Sequence, residues 1–353
     1  MPSHVCHALA GRRALSERGP YSPAFNLGCQ GPDIFAHNRR TRPFALAYAR
    51  LLHRHDYGSF SAAVAARVLS PEIRADSRAG TAIEWLRGFV THQALDRSLH
   101  PYIAYRSHIP SSKRFPGVNS ARFHAFFERI LDSSLHLRLE GRPVSDFDSG
   151  KTFSLTPEDV AFISSILADS ARDVYESARD DGAIRERIAN AFADASYFYA
   201  MTNPSSTSMG AAPGDDGLRA FVDMGAAGVA LLHPQTADGG TDWLNERRDP
   251  WRDPVDGSVR SESALDLFAF GVAEASKCAR TLDAFLEGRV RREELARVVG
   301  DGPLSILGKD GKVAAVAFCD PFDLESALAA ELAARTGWVA RRTSVDRMKR
   351  ELI

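Results

Sequence analysis

Trp85-Leu-Arg-Gly-Phe-Val-Thr-His-Gln-Ala-Leu-Asp-Arg-Ser-Leu-His-Pro101 is the stretch on which the fold turns. It reads as a helix, and within it His92, Asp96 and His100 stand at i, i+4 and i+8. Residues four apart on a helix share a face, with Cβ atoms about 6 Å apart. Two imidazoles and a carboxylate therefore leave the same side, while Trp85, Phe89, Leu95 and Leu99 give the other faces something to pack against. That donor set suits a divalent metal such as zinc. Three polar residues at this spacing are, by default, a solvated stripe. Two further features weigh against the default. His124 and Glu128 repeat the i, i+4 spacing, and ten of the 11 histidines fall at or before His136, leaving only His233 beyond it.

Composition sets outer limits. A chain of 353 residues, 44% hydrophobic and 25% charged, is an ordinary globular chain, large enough for one big core or two domains. A net charge of −1 supplies no basic field for nucleic acid or anionic lipid. No apolar run reaches the ~18 residues of a membrane span, and the N-terminus lacks the basic start and apolar stretch of a secretory signal. Cys6, Cys29, Cys278 and Cys319 are widely spaced without a Cys-x-x-Cys pair, and read as reduced thiols of a cytoplasmic protein.

Outward from the central stretch, helix dominates. Residues 5–17 read as a first helix, closed by Gly19-Pro20, with His7 in its first turn. Tyr21 to Phe35 reads as a loop in which Gly31-Pro32 fixes the backbone before Asp33. Asp33 is a helix cap by default, a positioned ligand otherwise. Helices are expected at 43–54 and 58–69, with His53 and His55 at their junction. The central helix should run from Thr81 to His100, where Pro101 ends or kinks it. Asn119 or Ser120 caps the next, to about Leu139. Further helices are expected at 157–179, 184–201, 217–232 and 262–287, with loops at 203–216 and 234–260. Ser305 to Phe318 reads as a short hairpin around Asp310-Gly311, and helices at 322–335 and 343–352 close the chain.

His7, Asp33, His53, His92, Asp96, His100, His124 and Glu128, in that order, resemble the zinc-dependent phospholipase C family in its signal-less bacterial branch. The resemblance rests on Met1-Pro-Ser with His7, Asn26-Leu-Gly-Cys-Gln-Gly-Pro-Asp-Ile-Phe35, Leu52-His-Arg-His55, Phe89 through Ile103, and His124-Ala-Phe-Phe-Glu128. A weaker likeness continues through Ala230-Leu-Leu-His-Pro234 and Trp243-Leu-Asn-Glu246. It implies an all-α bundle, also the fold of the single-strand-specific zinc nucleases, around a cluster of up to three Zn²⁺ ions. Residues 1–140 would form the metal-binding core, 141–300 a helical cover completing the same fold, and 301–353 a small C-terminal extension. By position, Asp33, His53 and His92 would bind one ion, with Asp96 bridging to a second that His7 helps hold. His100, His124 and Glu128 would bind the third, and Asp33 or Glu128 would be the general base. The secreted relatives use their free N-terminus as a ligand. Here trimming of Met1 would leave the Pro2 amine five residues from His7, with His4 as a competing ligand or, by default, a surface residue. His55 competes with His53, which the register to Gly58 and Phe60 favours, and the four-residue spacing of Asp96 and His100 is shorter than the family's.

The resemblance implies a zinc-dependent hydrolase of phosphate esters or phospholipid head groups, in the cytoplasm that the cysteines suggest. Two rivals stand beside it. One is a nuclease or nucleotidase of the same fold, for which Arg39, Arg40 and Arg42 could meet phosphate. The other is a non-catalytic, zinc-stabilised helical binding protein, in which side chains would fill every coordination position. His233-Pro234 and Trp243 to Trp251 could line a cleft, though core or turn roles are the default for each. Residues 290–353 carry no sign of chemistry.

Overall fold

The computed structural model describes residues 4–15, 19, 21–209, 217–235, 240–308 and 310–351, with side chains to Arg342. The chain is all-α. α1 (His4–Ala14), α2 (Pro23–Gly28), α3 (Asp33–Ala36), α4 (Leu46–Arg54), α5 (Tyr57–Val68) and α6 (Pro71–Arg74) lead to the long α7 (Ala79–Ser107) and to α8 (Ser120–Glu140). After a 3-10 turn at Val144–Asp146 come α9 (Ser149–Thr152), α10 (Pro157–Val174), α11 (Glu176–Arg179), α12 (Ile184–Met201), α13 (Pro204–Thr207), α14 (Gly217–Asp223) and α15 (Ala226–Val229). The antiparallel pair β1 (Trp251–Arg252) and β2 (Val259–Arg260) precedes α16 (Ala264–Leu286), α17 (Arg292–Val299) and α18 (Leu324–Glu351).

α7 is the axis. Residues 88–96 are buried without interruption, so every face of the helix meets protein. α16 lies along one side, where Gly271 comes so close that an added Cβ would sit 3.2 Å from the Cα of Leu95. α2 lies on another, where Gly28 and Gly88 let two backbones touch: a Cβ on Gly28 would be 2.0 Å from the carbonyl oxygen of Trp85. One hydrophobic cluster runs from Val5 on α1 through Trp85, Phe127 and Leu282 to Leu328 on α18, so the expected core, cover and extension share it.

Several local expectations are corrected. α7 passes Pro101 and continues to Ser107. Proline removes the N–H owed to Arg97, but the last turns are pinned elsewhere, by Tyr102 Oη donating to the Trp243 carbonyl and Arg106 pairing with Asp320 at 2.6 Å. The loop expected between Tyr21 and Phe35 contains α2 and α3, α2 being capped by the Ser22 hydroxyl with Pro23 at its first position. Helix 217–232 is broken at Gly225 (φ +63) into α14 and α15. Part of the expected loop at 203–216 forms α13, with 210–216 lying outside the described residues; that at 234–260 holds β1 and β2. The hairpin at 305–318 reduces to one bridge, Leu307 to Val313, both side chains largely in solvent; an isolated two-stranded ribbon is marginal in water. The two closing helices are one, α18.

The segment after α3 is held by Asp194 on α12. Its carboxylate accepts from Asn38 Nδ2, the backbone N–H groups of Arg40 and Thr41, and Thr41 Oγ1, at 2.7–3.0 Å. Burial opposes ionisation of Asp194, but these donors outweigh it and lower the carboxyl from 3.8 to about 2. The native group is the stronger acid. Its contribution is therefore full above the unfolded value and lost as pH falls through the folded one. Asp194→Asn is expected to cost about 2 kcal/mol at neutral pH in urea unfolding. The gap to the parent should close between about pH 4 and pH 2.

No helix among the described residues is long and apolar enough to cross a membrane. All four cysteines are free thiols, Cys6, Cys29 and Cys278 buried and Cys319 exposed.

Candidate metal centre

α7 sends His92, Asp96 and His100 inward from successive turns, and all three are buried. Around them stand His7 from α1, Asp33 from the first position of α3, His53 from the last turn of α4, and His124 and Glu128 from α8. The contacts form a continuous chain. His53 Nε2 is 3.0 Å from Asp33 Oδ1. Asp96 places Oδ1 3.2 Å from His7 Nε2 and Oδ2 3.1 Å from His92 Nε2. His100 lies between the two halves, 4.0 Å from Asp96 and 3.9 Å from Glu128, and Glu128 Oε1 is 2.7 Å from His124 Nε2.

Three groups of donor atoms lie within 4.8 Å of one another: His7, Asp33 and His92; His53, His92 and Asp96; His100, His124 and Glu128. His92 belongs to two of them, so the distances do not divide those two positions as the family resemblance would. The set of eight residues expected from the sequence is thus brought together.

Two local devices aim the imidazoles. The Nδ1 atoms of His53, His92 and His100 meet backbone carbonyls of Ala49, Cys29 and Leu304 at 2.6, 3.0 and 2.7 Å. A carbonyl only accepts, so each Nδ1 carries the proton and Nε2 faces the cluster, as in a metal ligand steadied by its outer neighbour. The second device is Gly31. Its φ of +51 turns the chain into α3, and a Cβ there would be 2.3 Å from His92 Cγ.

The electrostatics call for positive charge. Burial works against ionising Asp33 and Asp96. For Asp33 the His53 contact and the charge of His92 prevail, bringing the carboxyl to about 2. Asp96 is held well below its ordinary value by His92 and His100. Burial, then His92, lowers His7; burial lowers His100 to about 4. Burial also opposes a charge on His92, yet Asp96 and Asp33 raise it. The fit to cations is sharpest at Asp96. Both its oxygens, with Nε2 of His7 and His92, are buried and make no aligned hydrogen bond despite their close approach. Lone pairs that converge without hydrogen-bonding geometry could hold a shared cation.

Some expectations change. Asp33 is not a cap: Pro32 holds that place and the carboxylate faces His53. His55 is exposed and pairs with its neighbour Asp56, outside the cluster. His4 is buried rather than on the surface, but it meets Arg129 and Ser149 instead of the eight. The Pro2 amine falls outside the described residues. Trp243 and Trp251 are core residues against Phe127 and Tyr102. His233 is buried against Asp132, forming with His4 a further group of possible donors. Asp132 escapes a reading of the sequence, although it extends His124 and Glu128 by one more four-residue step. The stretch 290–353 does bear on the centre, since the Leu304 carbonyl orients His100.

Compared with protein-family models, curated proteins and solved structures, the chain matches none.

Proposed function

We propose that the chain is a zinc-dependent hydrolase of phosphate esters, acting on a phosphodiester such as a phospholipid head group. The observation that carries this reading is the convergence on Asp96 of buried donor atoms without aligned hydrogen bonds. When bound, divalent cations neutralise charge on a phosphate and bring water within reach of ionisation near neutral pH. The chain's own residues do the rest. His53 and His124 are the solvent-reaching members, 19% and 25% exposed, so substrate approaches between them. Asp33 or Glu128 takes the proton from attacking water. Asp96, enclosed beneath them, holds the cation positions together.

The test uses the purified full chain, its metals quantified, on a phosphocholine ester, a bis-aryl phosphate and single-stranded DNA. Turnover of the first two should vanish on chelation and return with Zn²⁺. Cleavage of DNA alone would move the assignment to a nuclease. Full zinc occupancy with no turnover of any ester would leave a zinc-stabilised scaffold and end the hydrolase reading.

A further inference from the structure

One turn beyond Glu128, Asp132 is fully buried on α8 and spends its carboxylate on another helix. Oδ1 accepts from the backbone N–H of Cys6 at 2.7 Å and Oδ2 from that of Val5 at 3.2 Å, so Asp132 holds two backbone donors of the first turn of α1. Oδ2 also lies 2.8 Å from His233 Nε2. His4, at the head of α1, is fixed by Arg129 Nη1 at Nδ1 (2.6 Å), by Ser149 Oγ at Nε2 (2.8 Å), and through its carbonyl by Gln30.

His4, Asp132 and His233 are spaced as metal ligands would be. The guanidinium decides against that. Arg129 Nη1 is 2.6 Å from His4 Nδ1, 3.5 Å from His233 Nε2 and 3.9 Å from Asp132, so a cation already stands among the three. The His4 lone pair is occupied by that donor.

The network continues to the far end of the chain. The His233 carbonyl accepts from Arg335 Nη2 at 2.7 Å, and Arg335 Nη1 reaches the Thr207 carbonyl. Arg335 is paired with Glu331 at 2.6 Å, both wholly buried on α18, and Glu331 accepts the Gln235 N–H. A rigid polar path thus leads from α18 through His233 and Asp132 to α1. His7, next on α1 after Cys6, is the one member of the metal centre that α1 supplies.

We propose that Asp132, backed by His233 and Arg129, is a positioning residue that sets α1 so that His7 completes the cation position shared with Asp96, and that α18 locks this setting through Glu331 and Arg335. The proposal rests on the metal reading above. Zinc–nitrogen bonds tolerate errors of only a few tenths of an ångström, so a small displacement of α1 removes His7 from coordination while leaving His100, His124 and Glu128 in place.

The experiment is zinc stoichiometry and affinity by competition with a chromophoric chelator, on the full chain and on Asp132→Asn, His233→Gln and His7→Ala, with folding checked by circular dichroism. His7→Ala identifies the affected ion. Asp132→Asn and His233→Gln are expected to weaken that same ion ten- to a hundredfold, with the others bound as in the parent. The double variant His7→Ala/Asp132→Asn should lose nothing beyond His7→Ala. A general loss of stability would not single out one ion. Where Asp132→Asn fails to fold, His233→Gln, which keeps both α1 donors satisfied, decides between the outcomes. Parental zinc binding in a folded His233→Gln or Asp132→Asn overturns the proposal, as does a double variant that loses a further ion, which would make the His4 group a metal site. A parent chain that binds no zinc overturns the metal reading itself and this inference with it.

Discussion

Asp96→Asn is expected to release at least one zinc ion and to lower turnover of a phosphodiester about a thousandfold. The magnitude follows from the several kcal/mol of transition-state charge stabilisation a metal ion supplies, at about 1.4 kcal/mol per factor of ten. Among the described residues, Asp96 is the only side chain with one oxygen toward His7 and the other toward His92. An amide keeps the shape but loses the charge and turns a donor toward the ions. The loss also has a thermal signature. Ligand that binds only the native state at a hundred times its dissociation constant stabilises by about 2.7 kcal/mol. The parent's melting temperature should therefore rise with zinc and fall on chelation, with the rise cut back in Asp96→Asn. An unchanged zinc count together with an unchanged zinc-dependent rise would reduce Asp96 to a buried partner of two imidazoles.

Gly31→Ala should be nearly as damaging, and a control separates its two causes. Gly31 has φ +51 and Gly117 φ +90, so alanine is strained at both. Nothing lies within 4 Å of a Cβ at Gly117, whereas at Gly31 it would be 2.3 Å from His92 Cγ and 2.5 Å from Cδ2. Gly117→Ala should cost only the backbone term, about 1–2 kcal/mol, with zinc unaffected. Gly31→Ala adds overpacking of about 1–3 kcal/mol. It must also move an imidazole whose Nδ1 is tied to the Cys29 carbonyl, or shift α3 and Asp33 with it. The measurements are urea unfolding of the zinc-free proteins and zinc titration. If Gly31→Ala matches Gly117→Ala in stability and binds the full zinc complement, the close approach to His92 has no role in shaping the centre.

Legibility in the sequence differs between the parts of the site. The i, i+4 pairs on α7 and α8 are legible because three or four residues of one helix fix their own geometry. So is the special backbone at Gly31-Pro32. Asp33 is ambiguous, since a carboxylate after Gly-Pro caps a helix as readily as it binds; the packing of α3 on α4 resolves it toward His53. His4 reads as a surface residue by default, and Asp132 draws no reading at all, until α1 and α8 meet. The α7 turn after Pro101 and the undivided α18 show local breaking signals overruled by contacts from remote segments.

From its residue order alone, this protein was committed to helices and to a front portion rich in imidazole and carboxylate, because periodicity and side-chain chemistry are local properties. The tertiary structure alone gave Asp132 to α1 and brought the Leu304 carbonyl to His100 across 204 positions of chain. Those choices depend on which buried polar groups find partners once the core has closed. No window of sequence contains both members of such a pair.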